Sequence, residues 1–305
     1  MKILFQYIHL YFREVNKKVF TACTLFITLL IVLNYTYHIE DWIRDRPHFI
    51  QRLLPHYLVY LLAFLIPYLL YRWAGSRQQW HDRSFLLLIL IAPFIFAFKH
   101  SFVFPFTSGG QNWEQYWKHV VYWPLLVLFT SVILYFIWRK FRLPGDNFYG
   151  LEFRRIDLRP YFVMLAVMIP LVAAASTQPD FLAMYPKMKL ISDVYDEGWV
   201  GPFHKLLFEL SYGSDFFTIE LFFRGFLVLG FVRWAGKEAI LPMACFYCTI
   251  HFGKPLAECI SSYFGGMLLG IVVYHTRSIV GGLIVHLGIA WMMEAGGYLG
   301  ILFRK

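Results

Sequence analysis

Two charged side chains interrupt an apolar stretch in the last third of the chain. In "IELFFRGF", Ile219 to Phe226, Glu220 and Arg224 stand four positions apart. On a helix this spacing places both side chains on one face, where they can pair. Arginine stays protonated and clamps a carboxylate, whereas a glutamate removed from water can act as a base that activates water. The stretch therefore indicates either a structural ion pair or a group suited to hydrolysis.

Further ionisable residues follow in the same part of the chain. His251 precedes "FGKP", where the proline is expected to end a helix just after the histidine. Glu258 opens the next apolar segment, and His286 lies deep within the following one, with Glu294 further along that segment. Burial of an ionisable group costs free energy, so such a group is usually paired with another or serves a function. We take the following as candidate catalytic residues, with Arg224 in support: Glu220, His251, His286 and Glu258.

The composition shows the setting of these residues. Of the 305 residues, 59% are hydrophobic and only 15% are charged. A soluble domain carries about 25% charged residues, so this chain lacks the polar surface to cover itself. The sequence predicts an all-α, polytopic transmembrane bundle of about eight or nine helices. The apolar segments are Val19–Tyr37, Leu54–Tyr71, Phe85–Phe98, Val120–Trp138, Tyr161–Ser176, Asp215–Phe231, Ala239–Phe252, Cys259–Tyr274 and Ile279–Ile301.

Two of these segments, the third and the seventh, fall furthest short of a full span. They are the ones expected to be tilted, broken or buried among the others. Three regions follow from the whole pattern. Residues 1–18 form an amphipathic helix at the membrane interface, residues 19–199 a scaffold of spans, and residues 200–305 the helices that carry the candidate site.

The distribution of positive charge predicts the topology. Lys and Arg concentrate in the N-terminal tail and in alternate loops, so the net charge of +9 indicates a positive-inside bias rather than nucleic-acid binding. We expect a multi-pass protein of a bacterial inner membrane with a cytoplasmic N-terminus and no cleavable signal. The basic residues of the fourth loop and the C-terminus include Arg154, Arg155, Arg304 and Lys305. The last two would lie outside, against the bias.

Small residues and cysteines have structural interpretations. Ser262, Gly266 and Gly270 recur every four residues, which is typical of a face that packs closely against another helix. A zinc site that uses both cysteines of "CFYC" with the nearby histidine is a minor alternative, since their spacing does not share one helix face well. Buried thiols are the favoured interpretation of these cysteines.

Taken in order, the motifs resemble a known family. "ELFFRG", a histidine that ends a helix, and "FGGMLLGIVVYHTRSIVGGLIVH" resemble the motifs of a divergent member of the CAAX-protease and bacteriocin-processing (CPBP, or Abi) intramembrane proteases. That family is marked by EExxxR, FxxxH and HxxxN or HxxxD on successive helices. The positions that fit are Glu220 with Arg224, Tyr247 with His251, and His286. The resemblance covers about Leu206–Gly297.

The chain departs from the family pattern at two positions. The first glutamate of the first motif is Ile219 here, and the Asn or Asp of the last motif is Ala290. In the family, the first glutamate activates water together with the histidines, and the Asn or Asp helps to form the oxyanion pocket. Two substitutes for the missing carboxylate are open: Glu220 itself, or Glu258.

The resemblance implies peptide hydrolysis by water without a covalent intermediate. Glu220 would take the water proton, and Arg224 would hold Glu220 in place. His251 and His286 would orient the water and stabilise the tetrahedral oxyanion. No cofactor is expected, although zinc held by Glu220 and the two histidines remains an alternative. The expected partners are membrane lipid, a membrane-embedded or lipid-anchored peptide substrate and, in a second hypothesis, a membrane protein, with no nucleic acid.

Two further functions remain open. Because two polar positions of the family are apolar here, the chain is alternatively a catalytically impaired relative that binds a membrane partner as a scaffold. A small transporter or channel is less favoured. Transporters often have broken helices in two repeated halves, whereas the polar residues lie in one half of this chain.

Overall fold

The computed structural model describes residues 2–76, 78–103, 111–142, 147–152, 156–191 and 201–303. Arg154, Arg155, Arg304 and Lys305, which entered the topology prediction, lie outside these residues. The α-helices are α1 (Lys2–Glu14), α2 (Lys17–Tyr37), α3 (Ile39–Arg44), α4 (Phe49–Trp73), α5 (Arg83–Ser101), α6 (Gln111–Phe141), α7 (Arg159–Ala175), α8 (Pro179–Met184), α9 (Pro202–Ile219), α10 (Val232–Ala235), α11 (Ile240–Thr249), α12 (Leu256–Thr276) and α13 (Val280–Phe303). A π-helix covers Glu220–Gly230, and short 3-10 helices cover Lys187–Ile191 and Gly236–Ala239.

Six of these helices are long and apolar enough to cross a membrane: α2, α4, α5, α6, α12 and α13. A seventh span is formed if α7 and the segment Pro179–Ile191, which are bent by 97° at the break between them, count together. The described part of the chain contains no strand. The protein is therefore a multi-pass membrane protein built as an all-α bundle, as the sequence predicts.

The two segments predicted to be short behave differently. The third is longer than expected, since α5 has 19 residues and qualifies as a span. The seventh is α11, which has ten residues, all of them buried. It packs against α2, α4 and α12. A helix enclosed by protein on every side needs no bilayer-spanning length, which explains why α11 is short.

Aromatic rings from the predicted scaffold and from the predicted site region share one core. Tyr60 and Phe64 on α4 contact Phe246 on α11, with ring centroids 5.1 and 5.8 Å apart. Phe96 on α5 contacts Phe222 in the π-helix at 5.1 Å. Large buried aromatic residues contribute strongly to packing energy. The first half of the chain therefore fixes the position of the helices that carry the candidate site.

The small-residue face of α12 packs against α11. A Cβ atom at Gly266 would lie 2.7 Å from Cδ1 of Tyr247, and one at Gly270 would lie 2.6 Å from Cε of Met243. Real Cβ atoms do not approach so closely, so at Gly266 a larger residue would displace the Tyr247 ring, whereas at Gly270 the flexible end of Met243 could move aside. The predicted packing face is confirmed, and it brings Tyr247 towards the centre of the bundle.

Asp82 provides a test of how α5 is anchored. Its side chain caps α5 by accepting a hydrogen bond from the Ser84 amide at 2.7 Å, and it also accepts one from the Trp234 indole at 2.6 Å. We expect Asp82→Ala to lower the free energy of unfolding by about 0.5–2 kcal/mol, the usual cost of losing an N-cap. Asp45→Ala, at an exposed aspartate, is the matched control. Thermal unfolding in detergent measures both, and equal midpoints would contradict the prediction.

The same bonds give this contribution a pH dependence. The hydrogen bond from Trp234, followed by those at the helix start, lowers the pKa of Asp82 below its usual value. A lowered pKa means that the stabilisation is complete above the ordinary aspartate pKa and is lost as the pH falls through the lowered value. The difference between the wild type and Asp82→Ala should therefore disappear in acid.

Candidate active site

The π-helix carries the predicted ion pair. Glu220 and Arg224 have no exposed surface, and Oε1 of Glu220 lies 3.2 Å from Nη1 of Arg224. The pair lies where α9 passes into the π-helix. Such turns are rare and often occur at functional sites. Since both charges are removed from water, each stabilises the other, and loss of either would leave an isolated buried charge.

A hydrogen-bonded chain runs from Glu220 through His286 to Tyr247. Nδ1 of His286 lies 3.0 Å from Oε1 of Glu220, and Nε2 of His286 lies 3.0 Å from the Tyr247 hydroxyl. A carboxylate can only accept, so Nδ1 carries the proton and Nε2 accepts from the hydroxyl in the neutral ring. The carboxylate thereby fixes both the orientation and the tautomer of the histidine.

Arg224 joins the two ends of this chain. Its guanidinium lies over the ring of Tyr247, 4.1 Å from the centroid, in a cation–π contact. Apart from the ion pair with Glu220, its N–H groups have no hydrogen-bond partner among the described residues. Arg224 can therefore donate hydrogen bonds to an incoming carbonyl oxygen or oxyanion.

His251 lies in the turn that follows α11. Its Nδ1 lies 2.9 Å from the backbone oxygen of Tyr247. Because a carbonyl oxygen can only accept, Nδ1 carries the proton and Nε2 is left with an available lone pair. The rings of Tyr247 and His251 are in contact, with centroids 4.7 Å apart. The break before Pro255 thus ends the helix near the histidine, and His251 can accept a proton.

A cavity of about 560 Å³ connects these groups. The polar candidates that line it are Arg224, Tyr247, His251, Glu258 and His286. The predicted scaffold contributes to its wall as well, through Lys99, His100 and Tyr122. Most of the remaining lining is apolar, including Leu126 and Met293. The cavity is suited to an apolar ligand with a few polar groups at one position.

Glu220 itself is not among the residues that line the cavity, whereas Ile219 and Ala290 are. The second carboxylate oxygen of Glu220 faces Gly282, where any Cβ atom would overlap it. The two positions at which the chain departs from the family pattern therefore face the cavity with apolar side chains. The carboxylate of Glu220 is separated from the cavity and reaches it through His286.

The two other predicted glutamates have different surroundings. Glu258 faces the cavity, where Oε1 accepts a hydrogen bond from the Tyr185 hydroxyl at 3.1 Å and lies 3.8 Å from Nζ of Lys254. Glu294 is buried and accepts a hydrogen bond from the backbone N–H of Lys187 at 2.7 Å. Glu258 is therefore a site residue by position, and Glu294 holds the segment Lys187–Ile191.

Sequence reasoning missed several polar groups of the cavity. Tyr185 comes from the connection between α8 and the 3-10 helix, and Lys99 on α5 forms an ion pair with Asp215 on α9 at 2.7 Å. Nothing in the local sequence marks these residues, because their partners are far away along the chain. Tyr247 did carry a signal, since it stands where the family motif has phenylalanine and adds a hydroxyl.

The two zinc alternatives are not supported by the geometry. Among the described residues, the ligand atoms of Glu220, His251 and His286 do not come together at one point. Nor do those of His251 and the cysteines of "CFYC". Both ring nitrogens of His286 have protein partners. Cys248 lies against Cys259 instead, with sulfur atoms 3.9 Å apart. Within the part of the chain that the structure describes, the residues whose ligand atoms lie close enough to hold a metal ion are Glu40, His56 and His100.

Comparison with known families identifies the segment that holds this site. Residues 211–292 match the family model of the type II CAAX prenyl endopeptidases, described as Rce1-like. The matched segment begins in α9 and ends in α13, and it contains Glu220, Arg224, His251, Glu258 and His286. The resemblance predicted from the motifs is confirmed over this segment. No curated protein and no solved structure matches the chain significantly.

Proposed function

Proceeding from this Rce1-like segment in a multi-pass membrane protein, we propose that the chain is an intramembrane endopeptidase. It hydrolyses a peptide bond of a membrane-associated protein or peptide with an activated water and without a covalent intermediate. The observation that carries the proposal is the cavity, in which a histidine with an available lone pair lies beside buried hydrogen-bond donors. A base next to donors for a developing oxyanion is the arrangement that peptide hydrolysis requires.

The reaction begins at His251. Its Nε2 takes a proton from water as the water oxygen attacks the carbonyl carbon of the substrate. The N–H groups of Arg224, which have no other hydrogen-bond partner among the described residues than Glu220, donate hydrogen bonds to the oxyanion that forms. His251 then returns the proton to the leaving nitrogen as the carbon–nitrogen bond breaks, which leaves a carboxylic acid and an amine.

Glu220 acts through His286 in this proposal, which revises the direct role predicted from the sequence. It holds the imidazole at Nδ1, so that Nε2 positions the Tyr247 hydroxyl. Glu258 faces the cavity directly. We assign to its carboxylate, which accepts a hydrogen bond from Tyr185 and pairs with Lys254, a supporting role in the cavity wall.

The substrate class follows from the setting of the cavity. Its apolar lining within a helix bundle suits a membrane-embedded or lipid-anchored peptide. Nothing in the lining selects a prenylated substrate over a bacterial peptide. We also propose a bacterial inner membrane and a cytoplasmic N-terminus, on the strength of the positive-inside bias.

Comparison of membrane-protein termini by mass spectrometry tests the function. Cells carry the wild type, His251→Ala or His9→Ala, expressed at matched levels. His9 is an exposed histidine on α1 and serves as the control. We expect a membrane protein or peptide to accumulate uncut only with His251→Ala. Identical termini in all three would overturn the proposed peptidase activity.

A catalytically impaired scaffold is the second candidate, and the apolar side chains of Ile219 and Ala290 in the cavity favour it. Under that function all termini are identical, and wild type and His251→Ala retain the same membrane partner in mild detergent. The variant Ile219→Glu separates the two candidates further. It supplies the family's missing carboxylate to the cavity, so cleavage that appears only in this variant supports the impaired scaffold.

A further inference from the structure

A second cluster of ionisable residues lies outside the segment matched to the family. Glu40 on α3, His56 on α4 and His100 on α5 each offer one ligand atom, and these atoms all lie within 4.8 Å of one another. Nε2 of His56 lies 3.4 Å from Oε2 of Glu40, and Nε2 of His100 lies 3.8 Å from Oε1. Three helices thus direct two imidazoles and a carboxylate towards one point.

We propose that Glu40, His56 and His100 bind a Zn²⁺ ion, with the fourth position open towards the cavity. Two ligands at about 2.0–2.1 Å from a tetrahedral zinc lie about 3.3 Å from each other. The separations at Glu40 approach this value. The His56 and His100 rings are stacked at 9° to each other, so metal binding would include a rotation of these rings that turns both lone pairs to one ion. Two histidines with one carboxylate and an open position form a donor set that suits zinc.

The outer hydrogen bonds of both histidines fit metal binding. Nδ1 of His56 lies 2.9 Å from Oγ of Ser101, and Nδ1 of His100 contacts the Tyr60 hydroxyl. Ligating histidines usually donate their other ring N–H to an oxygen, which fixes the ring and its tautomer. If both Nδ1 atoms donate in this way, both Nε2 lone pairs face the Glu40 carboxylate. A cation between them removes the repulsion that this arrangement creates.

The two histidines are the partners of the Glu40 carboxylate, and the cations nearby are paired with other residues. Glu40 and His56 are buried, with 7% and 2% of their surface exposed. Two neighbouring cations are paired elsewhere, Lys99 with Asp215 at 2.7 Å and Arg44 with Asp41 at 2.6 Å. Among the described residues, Glu40 has ion pairs only with the two histidines. A metal ion at this point would take the place of the protons through which the histidines now contact the carboxylate.

The cluster is connected to the turn that carries His251. The Asn34 side chain accepts a hydrogen bond from the backbone N–H of Glu40 and donates one to the Phe252 carbonyl, both at 3.0 Å. Cγ of Glu40 also lies against Gly253, 3.3 Å from where a Cβ atom there would stand. His100 lines the same cavity as His251. A bound zinc would therefore brace the turn next to the proposed base.

Zinc binding is measured on the full chain purified in detergent. The protein is stripped with a chelator, titrated with Zn²⁺ and dialysed, and the bound metal is counted by mass spectrometry. We expect stoichiometric zinc in the wild type and in His48→Ala, which replaces an exposed histidine at the start of α4. Glu40→Gln and His56→Gln should lose it. His251→Ala should keep it, which distinguishes this site from zinc at the candidate active site.

Two outcomes would overturn the inference. One is a wild-type chain that retains no stoichiometric zinc after titration, since this result does not depend on the folding of any variant. The other is a Glu40→Gln chain that elutes as the wild type does and retains the same amount of zinc. Zinc should also raise the unfolding midpoint of the wild type and His48→Ala but not of Glu40→Gln. None of these readouts depends on peptide cleavage, so failure here leaves the proposed peptidase untouched.

Discussion

Glu220→Gln is expected to reduce peptide cleavage by up to about 10²–10³-fold, the usual cost of losing one oxyanion donor, because it releases Arg224 from its partner. The variant removes the charge that holds Nδ1 of His286 and therefore the orientation of the Tyr247 hydroxyl. It also leaves the guanidinium of Arg224 buried without its partner. Breaking such a pair costs about 3–5 kcal/mol of unfolding free energy. Cleavage and the unfolding midpoint should both fall.

A double variant separates the catalytic effect from the structural one. Glu220→Gln combined with Arg224→Met replaces both buried charges by neutral groups, which often restores stability. We expect the midpoint to recover relative to Glu220→Gln alone, while cleavage stays low. Recovery of cleavage together with stability would show that neither Glu220 nor Arg224 takes part in catalysis and that the pair serves only the fold. Thermal unfolding in detergent and the comparison of membrane-protein termini provide the two measurements.

Gly282→Ala is expected to disturb the same carboxylate by a steric route. A Cβ atom at this position would overlap Oε2 of Glu220. Overpacking of a close-packed core costs about 1–3 kcal/mol. Because the carboxylate must move, the bond to Nδ1 of His286 should lengthen, and cleavage should fall although no ionisable group is replaced. The measurement is cleavage of the substrate identified from the terminus comparison, alongside the unfolding midpoint.

Gly265→Ala is the matched control for stability. Gly265 lies within α12, and a Cβ atom there would meet nothing within 4 Å. Alanine has the higher helix propensity, so this variant should not lower the unfolding midpoint. A wild-type midpoint and wild-type cleavage in Gly282→Ala would contradict the position assigned to the Glu220 carboxylate.

Local patterns in the sequence determined the class of the protein and the composition of its site. Apolar runs of spanning length can be satisfied only by helices in a bilayer, so the all-α bundle followed without tertiary information. The four-residue spacing of Glu220 and Arg224 placed them on one face, where the structure pairs them. The proline after "FGK" set the end of the helix near His251.

The tertiary structure decided which of these groups face the cavity. Neighbours in sequence point in different directions on a helix, and the rotation of each helix about its axis is set by packing against distant segments. That rotation places Ile219 at the cavity and Glu220 behind His286. It also directs Glu294 to the backbone of Lys187 rather than to the histidines.

The cluster of Glu40, His56 and His100 also could not be predicted from the sequence. Its members come from three helices and follow no motif or regular spacing, so no local pattern marks them as neighbours. The burial of α11 has partly the same origin, since α2 and α4, which are distant in sequence, enclose its ten residues together with α12. The sequence by itself determined the helices and the chemical groups that they carry. Only packing between distant helices decided which groups meet, because those contacts depend on helix position and rotation.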